Sequence, residues 1–422
     1  MIKRKKRLIN RKDKFIKKAT GIKRIKIKKN KSKKGNKYKK YYRNIIISKL
    51  IILILFIIYI FIYKTNLSLF LGNDNKKIIE NNNYESFTKM KLRYINNTLF
   101  KPYLETINII SHVYNENIMK LKKRKTNIHI TVSLNNRYIY PQLVSIESVL
   151  INCNKHKTFL TYHILCAPDV TENNLSILKS LVNKYPLNLE IIFYNMNNNF
   201  KKFDNWRISQ ATAYRLATPI ILDINRLIHL DGDTLTLKDL TKMYKMDMKD
   251  NYIFGTLDVL SDGIDKFGIK SEKFINAGVV LLNLEKIRND NKTIDLFEFI
   301  NSRTGISDQT VFNYIFYPKI GILPYEIGTW NFYDESDIRQ YTTFLRTKIN
   351  VTEVTEGFKN PTIIHSVLCW PKIWSVKTIY ATTYTYCKQR GDCSCEKYHN
   401  LWHSYANKTD YYEEIQHYTG KK

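Results

Sequence analysis

Two carboxylates one residue apart, Asp231 and Asp233, stand in the stretch RLIHLDGDTL (226–235), directly after a short apolar run. A run of that length, rich in Ile and Leu, suits a buried strand, so Asp231 falls where the chain leaves the core. Residues i and i+2 of an extended segment point the same way, and Gly232 between them lets the backbone come close to a ligand. A pair so placed suits a hard divalent cation, which keeps positions open for phosphate oxygens when only one or two protein carboxylates hold it. Asp-Gly-Asp-Thr is also ordinary turn and helix-cap vocabulary, so the motif takes its meaning from its surroundings.

The surrounding elements alternate. IHITVSL (128–134), FLTYHILC (159–166) and LEIIFY (189–194) are strand-like, while 141–152 and Thr171 to Tyr185 are helical. Such alternation implies a parallel α/β sheet with ligands at the carboxyl ends of its strands, and the Asp231 loop sits at such an end. A further strand-like run, INAGVVLLNL (275–284), precedes helical stretches near 293–303 and 308–316. No internal repeat is apparent.

The net charge of +32 resembles that of a nucleic-acid binder, but residues 1–44 hold 22 Lys and Arg against one acid, Asp13. The charge is mostly a tail outside the fold, and a nucleic-acid partner is not expected. The apolar run from Ile45 to Lys64 has one interior charge, Lys49, near its basic end, and reads as a single membrane span. Basic flanks stay cytosolic, so residues 65–422 should lie on the far side. Residues 65–127 then read as a stem, 128–378 as the folded domain and 379–422 as a C-terminal extension.

That topology favours disulfides among the six cysteines (153, 166, 369, 387, 393 and 395), with connectivity left open. Cys387, Cys393, Cys395 and His399 could instead bind zinc, although their spacing matches no standard pattern. Six N-x-S/T sequons, at Asn66, Asn96, Asn174, Asn291, Asn350 and Asn407, permit a luminal address.

Four more segments line up with the two aspartates: SQATAYRLATP (209–219) with Arg215, NAGVVLLNL beginning at Asn276, SDQTVFN (307–313), and PTIIHSVLCWPKIW (361–374). Together, and in this order, they resemble glycosyltransferase family 8, the retaining, glycogenin-like and lipopolysaccharide-type enzymes with a GT-A (Rossmann-like) nucleotide-diphospho-sugar transferase fold. The resemblance covers roughly residues 128 to 415. It implies that Asp231, Asp233 and His365 hold Mn²⁺, with Mg²⁺ the alternative; one imidazole beside two carboxylates shifts preference toward Mn²⁺. It also implies that Arg215 reaches the donor sugar or its phosphates, that Asn276 touches the sugar hydroxyls, that Asp308 grips hydroxyls with Gln309 near the anomeric carbon, and that Lys372 neutralises the departing diphosphate.

The chain departs from the family pattern in two places. Asn135 stands where the first-strand motif usually carries Asp, and Arg137 where it carries Asn. An Asn135 amide can still meet a uracil edge, and Arg137 could reach phosphate. In the C-terminal motif Leu368 replaces a glycine, and one extra residue precedes Lys372. The expected activity is therefore transfer of a hexose, glucose or galactose, from a UDP-sugar to a glycan, glycoprotein or glycolipid acceptor, with retention, in a Golgi-type lumen. The departures motivate a second reading, a catalytically silent sugar-nucleotide-fold scaffold. Aspartyl-phosphate phosphatases also place D-x-D after a strand, but they need Thr or Val where Leu235 stands.

Overall fold

A computed structural model describes residues 82–115, 122–197, 200–203, 209–258, 269, 273–303, 306–330, 351–366, 372–375 and 394–420. The basic tail, the apolar run 45–64 and Cys369, Cys387 and Cys393 lie outside the described residues. Among the described residues no helix is long and apolar enough to cross a membrane.

The strands are β1 (Asn108–Val113), β2 (Thr126–Leu134), β3 (Thr158–Cys166), β4 (Leu189–Asn195), β5 (Arg226–Leu230), β6 (Thr234–Thr236), β7 (Ile253–Leu257), β8 (Ile275–Asn283), β9 (Ile320–Ile322), β10 (Gly328–Trp330) and β11 (Ile363–His365). Among the described residues, the α-helices of eight residues or more are α1 (Asn82–Tyr94), α2 (Ile139–Asn152), α3 (Glu172–Lys184), α4 (Lys292–Ser302), α5 (Asp308–Phe316), α6 (Val351–Lys359), α7 (Ser394–Ala406) and α8 (Tyr412–Thr419). Side-chain oxygens cap several helix starts: Thr171 accepts from the Asn174 amide before α3, and Ser307 from the Thr310 amide before α5.

Eight strands form one sheet in the order β1-β4-β3-β2-β5-β8-β7-β9, and β10-β11-β6 form a second. All nine β3 residues are buried, as a strand covered on both faces requires. On one face Ile128, Ile130 and Val132 pack with Leu143 and Val144 of α2 and Leu178 of α3. On the other, Ile192, Val280 and Leu282 pack with Phe297 of α4 and Phe312 and Phe316 of α5.

The chain runs β2, β3, β4 to one side and then returns to place β5 on the other side of β2, with Ile130 opposite Ile228. The gap beyond the carboxyl ends of β2 and β5 is therefore a topological switch point, the usual ligand crevice of such sheets. Asn135 follows β2 there and Asp231 follows β5.

The sheet is not wholly parallel, as the alternating pattern had implied. β8 runs antiparallel to both β5 and β7, and β1 antiparallel to β4. An apolar run such as GVVLLNL reports burial on both faces, not direction. Residues read as a stem also enter the fold. Strand β1 pairs with β4, and Phe87, Phe100, Tyr103 and Leu104 are buried against the sheet's second face. Cys153 and Cys166 are buried free thiols rather than disulfide partners. Burial pushes both up, Cys153 to about 11.

Candidate active site

Asp231 and Asp233 are held by three different elements. The Asp231 amide donates to the Gly278 carbonyl of β8 at 2.8 Å, and the Ser366 amide, just after β11, donates to the Asp233 carbonyl at 2.9 Å. Antiparallel pairing of β11 with β6 sets His365 opposite Thr234. The outcome is a compact group in which one ligand atom each from Asp231, Asp233 and His365 lie within 4.8 Å of one another. His365 Nε2 is 3.1 Å from Asp233 Oδ1 and 3.7 Å from Asp231 Oδ2.

Gly278 forms the floor of this group. A Cβ there would stand 2.1 Å from His365 Cε1 and 2.7 Å from Asp231 Oδ2. Gly232, where a close ligand approach is expected, is also crowded on its protein side. A Cβ at 232 would lie 3.1 Å from Gln142 Oε1 and 3.3 Å from Tyr138 Cδ1, so the glycine also admits the start of α2 behind the loop. Farther along α2, Ser145 Oγ bonds Thr234 Oγ1 at 2.9 Å, and the Thr236 amide donates to Ser148 Oγ at 2.9 Å. Helix positions three apart thus meet strand positions two apart and brace the aspartate loop.

Arg215 lies on a 3-10 run, Gln210–Ala217, and is 2% exposed. Its Nη2 pairs with Asp231 Oδ1 at 2.9 Å, its Nη1 donates to the Ala277 carbonyl, and its Nε lies 2.9 Å from Asp308 Oδ2 while donating to the Thr212 carbonyl at 2.8 Å. The planar fork joins the metal-type loop, the Asn276 strand and the start of α5. Lys372 donates to Asp233 Oδ2 and, at 3.2 Å, to the Ser366 carbonyl.

These contacts fix the charge states. Burial pushes Asp231 up, but Arg215 and the His229 hydrogen bond outweigh it and hold the carboxyl well below the usual range. Burial likewise opposes ionisation of Asp233, and Lys372 and His365 together bring it to about 2. Asp308 moves the other way: burial raises it, and Arg215 only partly offsets that. Burial would lower Lys372, but Asp233 and its other neighbours raise it. The two aspartates stay ionised, as ligands of a divalent cation must be.

A model of glycosyl transferase family 8 matches residues 129–367, more than half of the chain. The chain belongs to glycosyltransferase family 8. Among its relatives are a candidate glycosyltransferase of Haemophilus influenzae, 29% identical over 196 residues (43% of this chain, 58% of that protein), and general stress protein A of Bacillus subtilis, 23% identical over 231 residues (52% and 77%). The chain thus matches less than two thirds of the length of the Haemophilus relative. Two solved structures share the fold. The bifunctional glycosyltransferase WbbM has a TM-score of 0.53 at 16% identity, covering 69% of this chain and 52% of its own. The galactosyltransferase LgtC, solved with donor and acceptor sugar analogues, has 0.50 at 21% identity, covering 63% and 95%.

Within this family 8 chain, three further expected residues, Gln309, Asn276 and Asn135, already have hydrogen-bond partners. Gln309 Oε1 accepts from the Ala277 amide at 3.1 Å, and its Nε2 donates to Asp258 Oδ2. Asn276 Oδ1 accepts from the Gly278 amide at 2.8 Å. Asn135 uses both ends of its amide, accepting from Tyr138 N at 3.1 Å and donating to Ser209 Oγ at 3.2 Å. Arg137 is exposed, and its carbonyl accepts from Tyr418 of α8 at 2.7 Å. Leu368 lies outside the described residues.

Three residues here were not singled out from sequence. Gly278 sits inside the NAGVVLLNL run, His229 inside the strand before Asp231, and Asp258 at the end of β7. His229 carried a legible signal, since it is two residues from Asp231 and must share its face. Asp258 carried none, because only folding brings residue 258 to residue 309.

Proposed function

We propose that this chain is a type II membrane glycosyltransferase that moves a hexose, glucose or galactose, from a UDP-sugar to an acceptor hydroxyl with retention, dependent on Mn²⁺, in the lumen of the Golgi or another secretory compartment. The observation that carries the reading is the Asp231–Asp233–His365 group at the switch point of the sheet, with Lys372 on the same carboxylate. Two carboxylate oxygens and one imidazole nitrogen within 4.8 Å fit Mn²⁺ or Mg²⁺, and Gly278 leaves the room. When bound, the cation would offset the charge that builds on the β-phosphate as the glycosidic bond opens.

The chain's own residues do the rest. Lys372 brings an ammonium to the departing diphosphate. Arg215 and Asp308, already paired, hold the donor sugar's side of the crevice, and Asn276 meets its hydroxyls. Gln309 stands near the anomeric carbon, its amide oriented by Ala277 and Asp258. Asp258 is engaged with Gln309, so same-face attack with the leaving phosphate as base suits the site better than a two-carboxylate route.

The test is UDP release by the full-length chain with a panel of UDP-sugars and Mn²⁺, beside Asp233→Ala. Manganese-dependent release from one donor, lost in the variant, supports the reading and names the sugar. Mn²⁺-dependent UDP binding without release would instead favour the silent scaffold, a reading that finds support in the engaged amide of Asn135. The luminal address predicts glycans at the exposed sequons Asn96, Asn291 and Asn407 when the chain is made in a secretory host. Bare asparagine at all three would count against it.

A further inference from the structure

His229 is fully buried on β5, two residues before Asp231, so strand alternation turns its imidazole to the same face as that carboxylate. Its Nε2 lies 3.1 Å from Asp231 Oδ1. An ionised carboxylate only accepts, so Nε2 must carry a proton. The same Oδ1 also receives Arg215 Nη2 at 2.9 Å. One oxygen of Asp231 is thus held by two donors from two separate elements, while Oδ2 faces His365 and the floor at Gly278.

We propose that His229 is a positioning residue that fixes the rotamer of Asp231 and, with Arg215, commits Oδ1 to the protein, so that Asp231 presents a divalent cation with Oδ2 alone. This rests on the metal reading of the Asp231–Asp233–His365 group. An apolar side chain of similar size would fill the same core space between Thr131 of β2 and Val280 of β8, which pair with His229 across the sheet, but would leave Oδ1 to Arg215 alone. The carboxylate could then swing about its bond to Cβ, and a ligand held by one donor would lose the orientation that outer-shell hydrogen bonds supply. The imidazole is a donor to the ligand, not itself a ligand: its Nε2 is spent on Asp231.

The experiment measures the Mn²⁺ dissociation constant of the full-length chain by electron paramagnetic resonance of free Mn²⁺, for the unaltered protein, His229→Phe and His229→Gln, with metal-free thermal unfolding of each. His229→Phe fills the space without a donor, and His229→Gln restores an amide N–H. The expected result is Mn²⁺ affinity weakened about 10- to 100-fold in His229→Phe and within about threefold of the unaltered protein in His229→Gln. Unchanged affinity in a folded His229→Phe overturns the inference alone, as does a folded His229→Gln as weak as the phenylalanine variant. No Mn²⁺ binding by the unaltered chain overturns the metal reading along with it. A second readout needs no variant to fold. Nitrogen-15 shifts of the unaltered, metal-free protein should report a His229 ring protonated at Nε2, and an unprotonated Nε2 would overturn the donor role.

Discussion

Replacing Gly278 by alanine puts the site's geometry to a direct test, because one methyl group meets two of the three proposed ligands at once. The new Cβ would stand 2.1 Å from His365 Cε1 and 2.7 Å from both His365 Nε2 and Asp231 Oδ2. Ordinary contact begins near 3.4 Å, so the imidazole would have to retreat by more than about 1 Å, whereas metal–ligand distances tolerate roughly 0.2 Å. The escape routes are closed: His365 lies on β11 with the Asp233 loop against it, and Asp231 Oδ1 is held by Arg215 and His229. Overpacking of this kind costs typically about 1–3 kcal/mol in stability, which a folded domain of this size can absorb. The metal site cannot absorb it. Gly278→Ala should therefore remain folded by circular dichroism while Mn²⁺ binding weakens by at least about 100-fold and manganese-dependent UDP release disappears. A variant that binds Mn²⁺ within about threefold of the unaltered chain would refute the assignment of His365 and Asp231 to one cation.

Away from the site, Glu190 is buried on β4 and faces His112 at 3.5 Å, Thr161 at 2.6 Å and Lys122. Burial raises its pKa, but these partners outweigh it and hold it at about 2 against an ordinary 4.5. Because the folded value is the lower one, its contribution, about 3 kcal/mol, is present above pH 4.5 and lost as pH falls toward 2. Urea melts should show Glu190→Gln destabilised by that order at pH 7, with the gap to the unaltered chain narrowing below pH 4.5; a gap independent of pH would contradict the ionised state. Arg215→Lys keeps a charge but cannot span Asp231, Asp308 and the Ala277 carbonyl, so kcat/KM for UDP release should fall at least about 100-fold, and activity within threefold would count against the bridge. Asp258→Asn weakens the hold on the Gln309 amide, and kcat should drop about 10- to 100-fold with KM for the donor nearly unchanged; a change confined to KM would assign Asp258 to binding instead.

The sequence carried the part of this site that lies in short contiguous stretches. Strands β2 to β5 and helices α2, α3 and α5 fall within a residue or two of where periodicity put them, because each has a full run of residues facing a core. Strand β6, three residues long, and β11, also three, have too few positions for any period to show, although they bring His365 to Asp233. Helix α1 and strand β1 were hidden for another reason. NNYESFTKMKLRY and NIISHV are polar enough to read as a stem, and they owe their order to Phe87, Phe100, Tyr103 and Leu104 packing against a sheet formed by distant sequence. Arg215 was legible as a residue type and illegible as a contact: the 3-10 run that carries it gives no hint that its guanidinium ends between residues 231, 277 and 308.

That position makes Arg215 the joint of the crevice, and it changes how substitutions there must be read. Asp231 keeps its charge despite burial because Arg215 and His229 supply donors, whereas Asp308, sharing the same guanidinium and feeling the charge of Asp231, is pushed up by burial. The two acids compete for one cation. Removing the charge of Asp308 should therefore strengthen the hold of Arg215 on Asp231, and removing Arg215 should perturb both acids together. Residues in one such network do not contribute independently, and their coupling energies are typically about 0.5–3 kcal/mol. A cycle of Arg215→Lys and Asp308→Asn, read by Mn²⁺ affinity, should then be non-additive, Asp308→Asn changing the affinity less beside Arg215→Lys than it does in the unaltered chain. Additivity would mean that the donor-sugar side and the metal side of the crevice are set separately, and that the shared guanidinium is a feature of the static fold with no consequence for binding.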